Sequence, residues 1–350
     1  MAHISAALAR QQGIKLLQWA PPGQRNPGVD DVATPAEAAW LGALMLRGGI
    51  SHLLRTHPVA GVFSAVKLLR MLRSAYRRHG SVDLRHINWL QCVLSLPADG
   101  KPALVTVLGN DMRLMRLPGM RMMLRRVLRG RRVVICPNAG WMQPELEQAF
   151  GDIAMVHTVP FGIDPRWFAV ERRFEENAVP KWLCISRLTA EKLGPLFDWS
   201  APFFSNGGAE LHLLGPMQEQ IGLPPWVHWH GPVSPDALCE TWFPQAQGLI
   251  TLSQHAEGRP QVMMEAMASG LPIIASRLPA HDDLLGDGGG IPCATAGETL
   301  AALAAMSDSR KNRLLGQSGR ARMQSEIGTW DSCAQRYIAL YYELLGGPDT

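Results

Sequence analysis

Two glutamates eight residues apart, Glu257 and Glu265, bracket the richest run in the chain, EGRPQVMMEAMASG. Pro260 suits the first turn of a helix and Gly270 its C-terminal cap, so a helix is predicted over about 260–269. Its first amides lack intrahelical partners, and Gly258 in front of them lets a ligand come close; together they make an anion site. Glu257 stands just before that end and Glu265 further along. Read from the residues alone, an acid there is equally a favourable partner of the helix dipole, and Glu265 a surface residue. A second cluster, Ser186-Arg187-Leu188-Thr189-Ala190-Glu191-Lys192, follows an apolar run and sets two cations five residues apart. Cations and helix amides sharing one crevice would hold a diphosphate and speed a leaving group that takes two or more negative charges. Two ordinary solvated cations are the alternative.

Such clusters need strands that deliver them to one edge. Short apolar runs at 182–185, 211–214, 227–230, 248–252 and 272–276 alternate with predicted helices at about 192–205, 235–246, 260–269 and 296–305. Continuous apolar strands alternating with helices imply a parallel, doubly wound α/β domain, which binds ligands at the carboxyl ends of its strands. The N-terminal half repeats the rhythm less clearly, with strands predicted at 14–19, 84–87, 104–108, 133–136 and 155–159. Thr34 followed by Pro35 reads as a helix start and Gly48-Gly49 as its stop, while 21–28 (PPGQRNPG) reads as a loop after the first strand. A charged run, Glu171, Arg172, Arg173, Glu175 and Glu176, places a boundary near 174–180, giving domains over 1–175 and 176–328. A last helix is predicted over about 330–345 within the tail 329–350, with Tyr337, Leu340, Tyr341 and Leu344 on one stripe.

A length of 350 residues fits two domains with real cores. With 47% hydrophobic and 18% charged residues, the composition excludes collagen-like, coiled-coil and largely disordered chains. The net charge of +4 conceals an imbalance, because residues 1–175 carry 23 basic and 12 acidic side chains and residues 176–350 carry 11 and 18. The halves therefore meet different partners. Six scattered cysteines without a CxxC pair read as buried reduced thiols of a cytoplasmic protein. No apolar run approaches the ~20 residues that cross a bilayer, and the N-terminus does not read as a signal peptide. Any membrane contact would be peripheral, on the inner face of the cell membrane.

The spacing of Glu257 and Glu265 within EGRPQVMMEAMASGLPIIAS resembles the E-x7-E signature of retaining GT-B glycosyltransferases, especially glycosyltransferase family 4. CISRLTAEK, LHLLGPM, VHWHGPVSPDAL and VPFGIDPRWF resemble further elements of that family in the family's order. The resemblance covers about residues 82–345 and implies two Rossmann-like doubly wound domains facing across a cleft. It implies that Arg187 and Lys192 hold the diphosphate of a nucleotide-sugar and that Glu257 contacts the donor sugar. Amides over Gly258, Arg259, Pro260, Gln261 and Val262 would line phosphate and sugar, Glu265 would bind the ribose, and the turn at Val233 would lie against the base. No metal and no cofactor are implied; the nucleotide-sugar is a substrate. The implied activity is transfer of a sugar, with retention, to a glycan or lipid-linked acceptor in cell-surface polysaccharide (lipopolysaccharide) or glycolipid synthesis. Where many members carry a histidine near an HGxD-like turn, this chain has Val107-Leu108-Gly109-Asn110-Asp111, which leaves Asp111 as the acceptor-side candidate. His86, Asn88 and Trp89 follow a strand and are candidates for lining the cleft, with a structural role for His86 an equal alternative.

Residues 113–132 hold eight arginines and no acid, and Lys67, Arg70, Arg73, Arg77 and Arg78 form a second basic stretch. Both are expected to meet an anionic membrane surface. Clustered arginine also suits nucleic acid, but no nucleic-acid-binding motif accompanies it and none is expected. Two other readings stay open, a catalytically inactive basic adaptor for membrane or nucleic acid, and a sugar-nucleotide epimerase or phosphorylase on the same frame.

Overall fold

The computed structural model describes residues 2–23, 26–173, 179–255, 257–286 and 288–346. Gln24 and Arg25 of the first loop, and Glu175 and Glu176 of the charged run, lie outside the described residues. The chain separates into two compact units. One comprises Met1–Asn138, Met142–Phe161 and Trp330–Thr350, the other Ala139–Trp141 and Gly162–Thr329.

The first unit holds two parallel sheets. Strands β1 (Leu16–Gln18) and β2 (Val29–Asp31) pair by themselves, and β3 (Arg85–Asn88), β4 (Ala103–Val107), β5 (Val133–Pro137) and β6 (Met155–Val156) pair in chain order. Strands β4 and β5 are buried along their whole length, which fits a sequence that is apolar but for Thr106. The predicted strand at 155–159 ladders only at its start, then continues extended, with the His157 and Val159 amides donating to the Ile135 and Pro137 carbonyls. Trp330–Leu345 belongs to this unit. Its stripe of Cys333, Tyr337, Leu340 and Leu344 packs on Leu104, Val134, Cys136 and Val159 in one core.

In the second unit β7 (Lys181–Ile185), β8 (Glu210–Leu214), β9 (Val227–Trp229), β10 (Ala246–Thr251), β11 (Ile273–Ser276) and β12 (Ile291–Cys293) form one parallel sheet in the order β12-β11-β10-β7-β8-β9. The winding runs outward one way from β7 to β9 and the other way from β10 to β12. The strand order therefore reverses between β7 and β10, and the crevice at the carboxyl ends of those two strands is the switch point where such sheets bind ligands.

Three expectations need correction. The boundary falls at Phe161–Gly162 and not at 174–180, because Ile163, Trp167 and Val170 are buried in the core of the second unit. Arg172, read as part of the charged run that marks the boundary, is held by four acceptors of that unit: the carbonyls of Ala246, Gln247 and Gly270 at 3.0 Å each and Asn312 Oδ1 at 2.9 Å. The helix predicted over 192–205 is two helices, Ala190–Leu193 and Leu196–Phe204, broken at Gly194, whose φ of +54° and approach to the Leu252 carbonyl exclude a side chain.

Candidate functional site

The chemistry-bearing residues of the second unit gather on the switch point. Thr189 caps the short helix after β7, its hydroxyl accepting from the Lys192 amide at 3.2 Å, and so fixes where Lys192 leaves the backbone. The loop after β10 is tied to the same turn, because the Gln254 amide donates to the Glu191 carbonyl at 2.8 Å and His255 Nδ1 bonds Glu191 Oε2 at 2.8 Å. Lys192 Nζ and the Glu257 carboxylate form an ion pair across the two loops. Burial, then the like charge of Arg187, brings the Lys192 ammonium down to about 8, with Glu191 pulling the other way. Arg187 itself is exposed. One loop further along the sheet, Gly215 at φ +143° lies so close to the Ser186 carbonyl that no side chain fits, and its amide donates to Gly231 at 2.7 Å. Val233, just beyond, is half-buried against the core.

The helix after β10 runs Gln261–Ala268, with Pro260 as N-cap and no side-chain cap among the described residues; Gly270 at φ +75° ends it. The Gly258 carbonyl accepts from the indole of Trp141, which groups with this unit, at 2.7 Å. Arg259 turns its guanidinium to Asp283 at 2.5 Å, so its backbone and not its charge faces the switch point. Glu265 sits one turn into the helix, bonded to Gln261, and burial raises its carboxyl to about 7. A carboxyl raised above its ordinary value of 4.5 is most at ease neutral, so its favourable contribution is complete below pH 4.5 and lost as the pH rises through about 7. Glu265→Gln is therefore expected to raise stability by roughly 1–3 kcal/mol at pH 8 and not at pH 4, by chemical denaturation at the two pH values.

Residues missed by sequence reasoning complete this edge. Ser276 at the end of β11 donates to the Ser253 carbonyl at 2.5 Å, and the buried His281 bonds the Ser276 carbonyl through Nδ1 at 2.8 Å. Burial holds His281 below its usual value, and Lys192 adds to the shift, which places the two near each other. The Ser186 hydroxyl is buried beside the Cys184 thiol. The signal was weak: single serines closing strands, and a histidine inside RLPAHDD.

In the first unit the structure gives the two acceptor-side candidates structural tasks. Asp111 is 2% exposed, and its carboxylate accepts from the Leu108 amide at 2.8 Å as the cap of its own helix, Gly109–Leu114. Burial raises it to about 7 against those backbone bonds. His86 uses both ring nitrogens, on Tyr341 Oη at 2.6 Å and Thr106 Oγ1 at 2.7 Å, and burial pulls it down to about 4. The open edge lies beside them. Trp89, exposed and at φ +69°, donates from its amide to the Thr106 carbonyl, and Asn138 donates to the Val107 carbonyl, so the two straddle the end of β4. The Oδ1 atoms of Asn88 and Asn138 are buried without a partner among the described residues. A bulky residue in the left-handed region and unpaired buried amides are costs that proteins retain at functional sites. Among the described residues no three His, Cys, Asp or Glu side chains converge as metal ligands, and no helix is long and apolar enough to cross a membrane.

Residues 180–308 match the family described as Glycosyl transferases group 1, and the match begins one residue before β7 and carries both clusters at the switch point. This stretch is thus similar to the glycosyl transferases group 1 family over about a third of the chain. The MMP alpha-(1->4)-mannosyltransferase of Mycolicibacterium hassiacum is 28% identical over 200 residues, 53% of this chain and 48% of that protein. The matched stretch thus spans about half the length of the curated relative. Among solved structures, sucrose-phosphate synthase from Thermosynechococcus elongatus superposes with a TM-score of 0.71 at 17% identity, covering 98% of this chain and 92% of that one. HepE of Anabaena in complex with UDP gives 0.65 at 14% identity, over 78% and 82%, and its complex with UDP-glucose 0.62 at 14%, over 78% and 82%. The fold is GT-B, and the stretch that matches glycosyl transferases group 1 lies within its second unit.

Proposed function

We propose that the chain is a metal-independent retaining glycosyltransferase of the family 4 kind, which moves a sugar from a nucleoside diphosphate to a hydroxyl of a glycan or lipid-linked acceptor. The observation that carries this reading is the convergence of Arg187, Lys192, Glu257 and the start of the Gln261–Ala268 helix on the switch point of the unit that matches glycosyl transferases group 1. Lys192 holds Glu257 in an ion pair; a diphosphate competes for the same ammonium, and its arrival turns the carboxylate toward the hydroxyls of the donor sugar. Lys192, Arg187 and the helix amides then stabilise the charge that gathers on the diphosphate as its bond to the anomeric carbon breaks. The acceptor oxygen bonds to that carbon on the face the diphosphate leaves, and the acceptor proton passes to a phosphate oxygen. Glu265, kept in spite of its cost above pH 7, would bind the ribose. The complexes of HepE with UDP and with UDP-glucose suggest which donors to try first.

Thermal shift of the full chain with a panel of nucleoside diphosphates tests the site. One of them is expected to stabilise the wild type and not Lys192→Ala, with the effect fading above about pH 8 as the ammonium loses its proton. No stabilisation by any member would remove the reading.

On the acceptor side the reading rests on Trp89, Asn88 and Asn138. Asn138→Ala is expected to leave stability unchanged or slightly raised, since it deletes an unpaired buried oxygen, while turnover on the acceptor drops at least about tenfold. A purely structural asparagine would give the opposite pair of results.

A further inference from the structure

The helical lobe of the first unit exposes large apolar side chains at one end. Helices Pro35–Leu46, Gly49–Thr56 and Pro58–Arg78 lie side by side. Arg78 donates to both oxygens of Glu37 at 2.9 and 2.7 Å, Lys67 Nζ stands 4.9 Å over the Trp40 ring, and Gly61 abuts the Leu54 backbone. Lys67 and Arg78, at the middle and the end of the last helix, thus both reach the first helix. Only Arg47 and Gly48 separate the first helix from the second and only His57 the second from the last, so the end of the first helix and the start of the last are bridged by one eight-residue helix, about 12 Å long. There Leu46 is 93% exposed, Phe63 73%, Val59 71% and Val62 55%, with Met45, Leu54 and Val66 exposed beside them.

Along Pro58–Arg78 the exposed positions Val59, Phe63, Val66, Arg70 and Arg77 follow each other at steps of three, four or seven residues, which is one line on a helix. Apolar at its start and cationic after Val66, that line sorts its chemistry along the helix axis. Seven residues separate Phe63 from Arg70, about 10 Å of helix, and apolar anchors enter the boundary between headgroups and acyl chains by about 5–10 Å. An apolar tip at that depth leaves the cations at the level of the phosphates. Charge agrees: residues 38–82 hold Arg47, Arg55, Lys67, Arg70, Arg73, Arg77 and Arg78 and no acid at all. The other basic stretch is different. Arg121 pairs with Glu145, Arg125 with Asp152, and Arg131 donates to the Lys101 and Pro97 carbonyls, so much of its charge is already engaged inside the unit.

We propose that this end of the lobe is a bilayer anchor, with Leu46, Val62 and Phe63 entering the acyl boundary of an anionic membrane and Lys67, Arg70 and Arg77 collaring them at the headgroups. The anchor is independent of the donor chemistry, and its test does not read activity. The full chain is floated with phosphatidylcholine vesicles with and without phosphatidylglycerol. The wild type is expected to partition onto the anionic vesicles. Phe63→Asp is expected to weaken partition at least about tenfold, and Arg70→Ala by roughly fivefold, both with unchanged circular dichroism. Added salt is expected to weaken binding and abolish the difference made by Arg70→Ala while that made by Phe63→Asp persists. Absence of partition at low salt, or partition indifferent to Phe63→Asp, would overturn the proposal. So would a dimer in light scattering that Phe63→Asp dissolves without vesicle binding, which would give the tip to a second copy of the chain.

Discussion

Replacing Lys192 by alanine is expected to lower sugar transfer by about a hundred- to a thousandfold, the size of effect seen when one donor to a developing oxyanion is lost. The side chain is placed by the Thr189 cap, half-buried near the switch point, and held to Glu257 across two loops. Its charge counts for most when the bond to the diphosphate is breaking, so the loss should fall on kcat more than on KM. Arginine should rescue poorly, since a planar fork does not fit where a point charge is packed. Glu257→Ala is expected to fall as far for a different reason: it removes the carboxylate that would orient the donor sugar and leaves the ammonium facing Arg187 without its partner. Steady-state transfer assays on both variants, with circular dichroism to confirm the fold, check this. Full activity in both would put the reacting bond elsewhere.

The largest expected effect on stability is Arg172→Ala. This guanidinium gathers the carbonyls of Ala246 and Gln247, at the start of β10, with that of Gly270 and the side chain of Asn312. Asn312 is itself fully buried and donates to the Gln247 and Met306 carbonyls, so the two side chains tie the start of β10, the end of the helix Gln261–Ala268 and the start of Ser309–Arg322 into one network. Truncation strands several buried acceptors at once, at a cost of about 4 kcal/mol or more. For a unit of this size that is a fall in Tm of roughly 8–16 °C. Arg172→Lys should recover little, because one ammonium cannot span four acceptors. Thermal denaturation of the full chain measures it, and a shift within a degree or two of wild type would mean the network is dispensable.

What could be read in the sequence followed from how strongly local pattern dictates structure. Short apolar runs such as VVIC, and LHLL with its single histidine, alternating with helical stretches read as buried parallel strands, and they became β5 and β8. Thr34-Pro35 with Glu37 three residues after the cap formed a capping box as such spacing does. Strand β12 escaped notice because Pro292 sits inside it, which only an edge position tolerates, and edge position is a property of the assembled sheet. The domain boundary was misplaced for a similar reason: charge density marked the run around Arg172 as a boundary, whereas the partners of Arg172 come from positions 74 to 140 residues away. At the candidate site the two strand-following clusters were legible because Gly, Pro and paired charges recur at fixed offsets. That Lys192 and Glu257 pair, and that His281 and Ser276 stand beside them, depends on the β10-β11 and β10-β7 pairings, which no local signal carries. Asp111 and His86 had the right chemistry, but burial commits their polar atoms to neighbours.

The central claim is that the switch-point residues transfer a sugar with retention. Its most direct test is proton NMR of the first product formed from the nucleotide-sugar that stabilises the chain and a hydroxyl acceptor, read at the anomeric proton before any equilibration. The account predicts a product with the anomeric configuration of the donor, formed by the wild type and not by Lys192→Ala. A product of inverted configuration, or one formed equally by the variant, would contradict it.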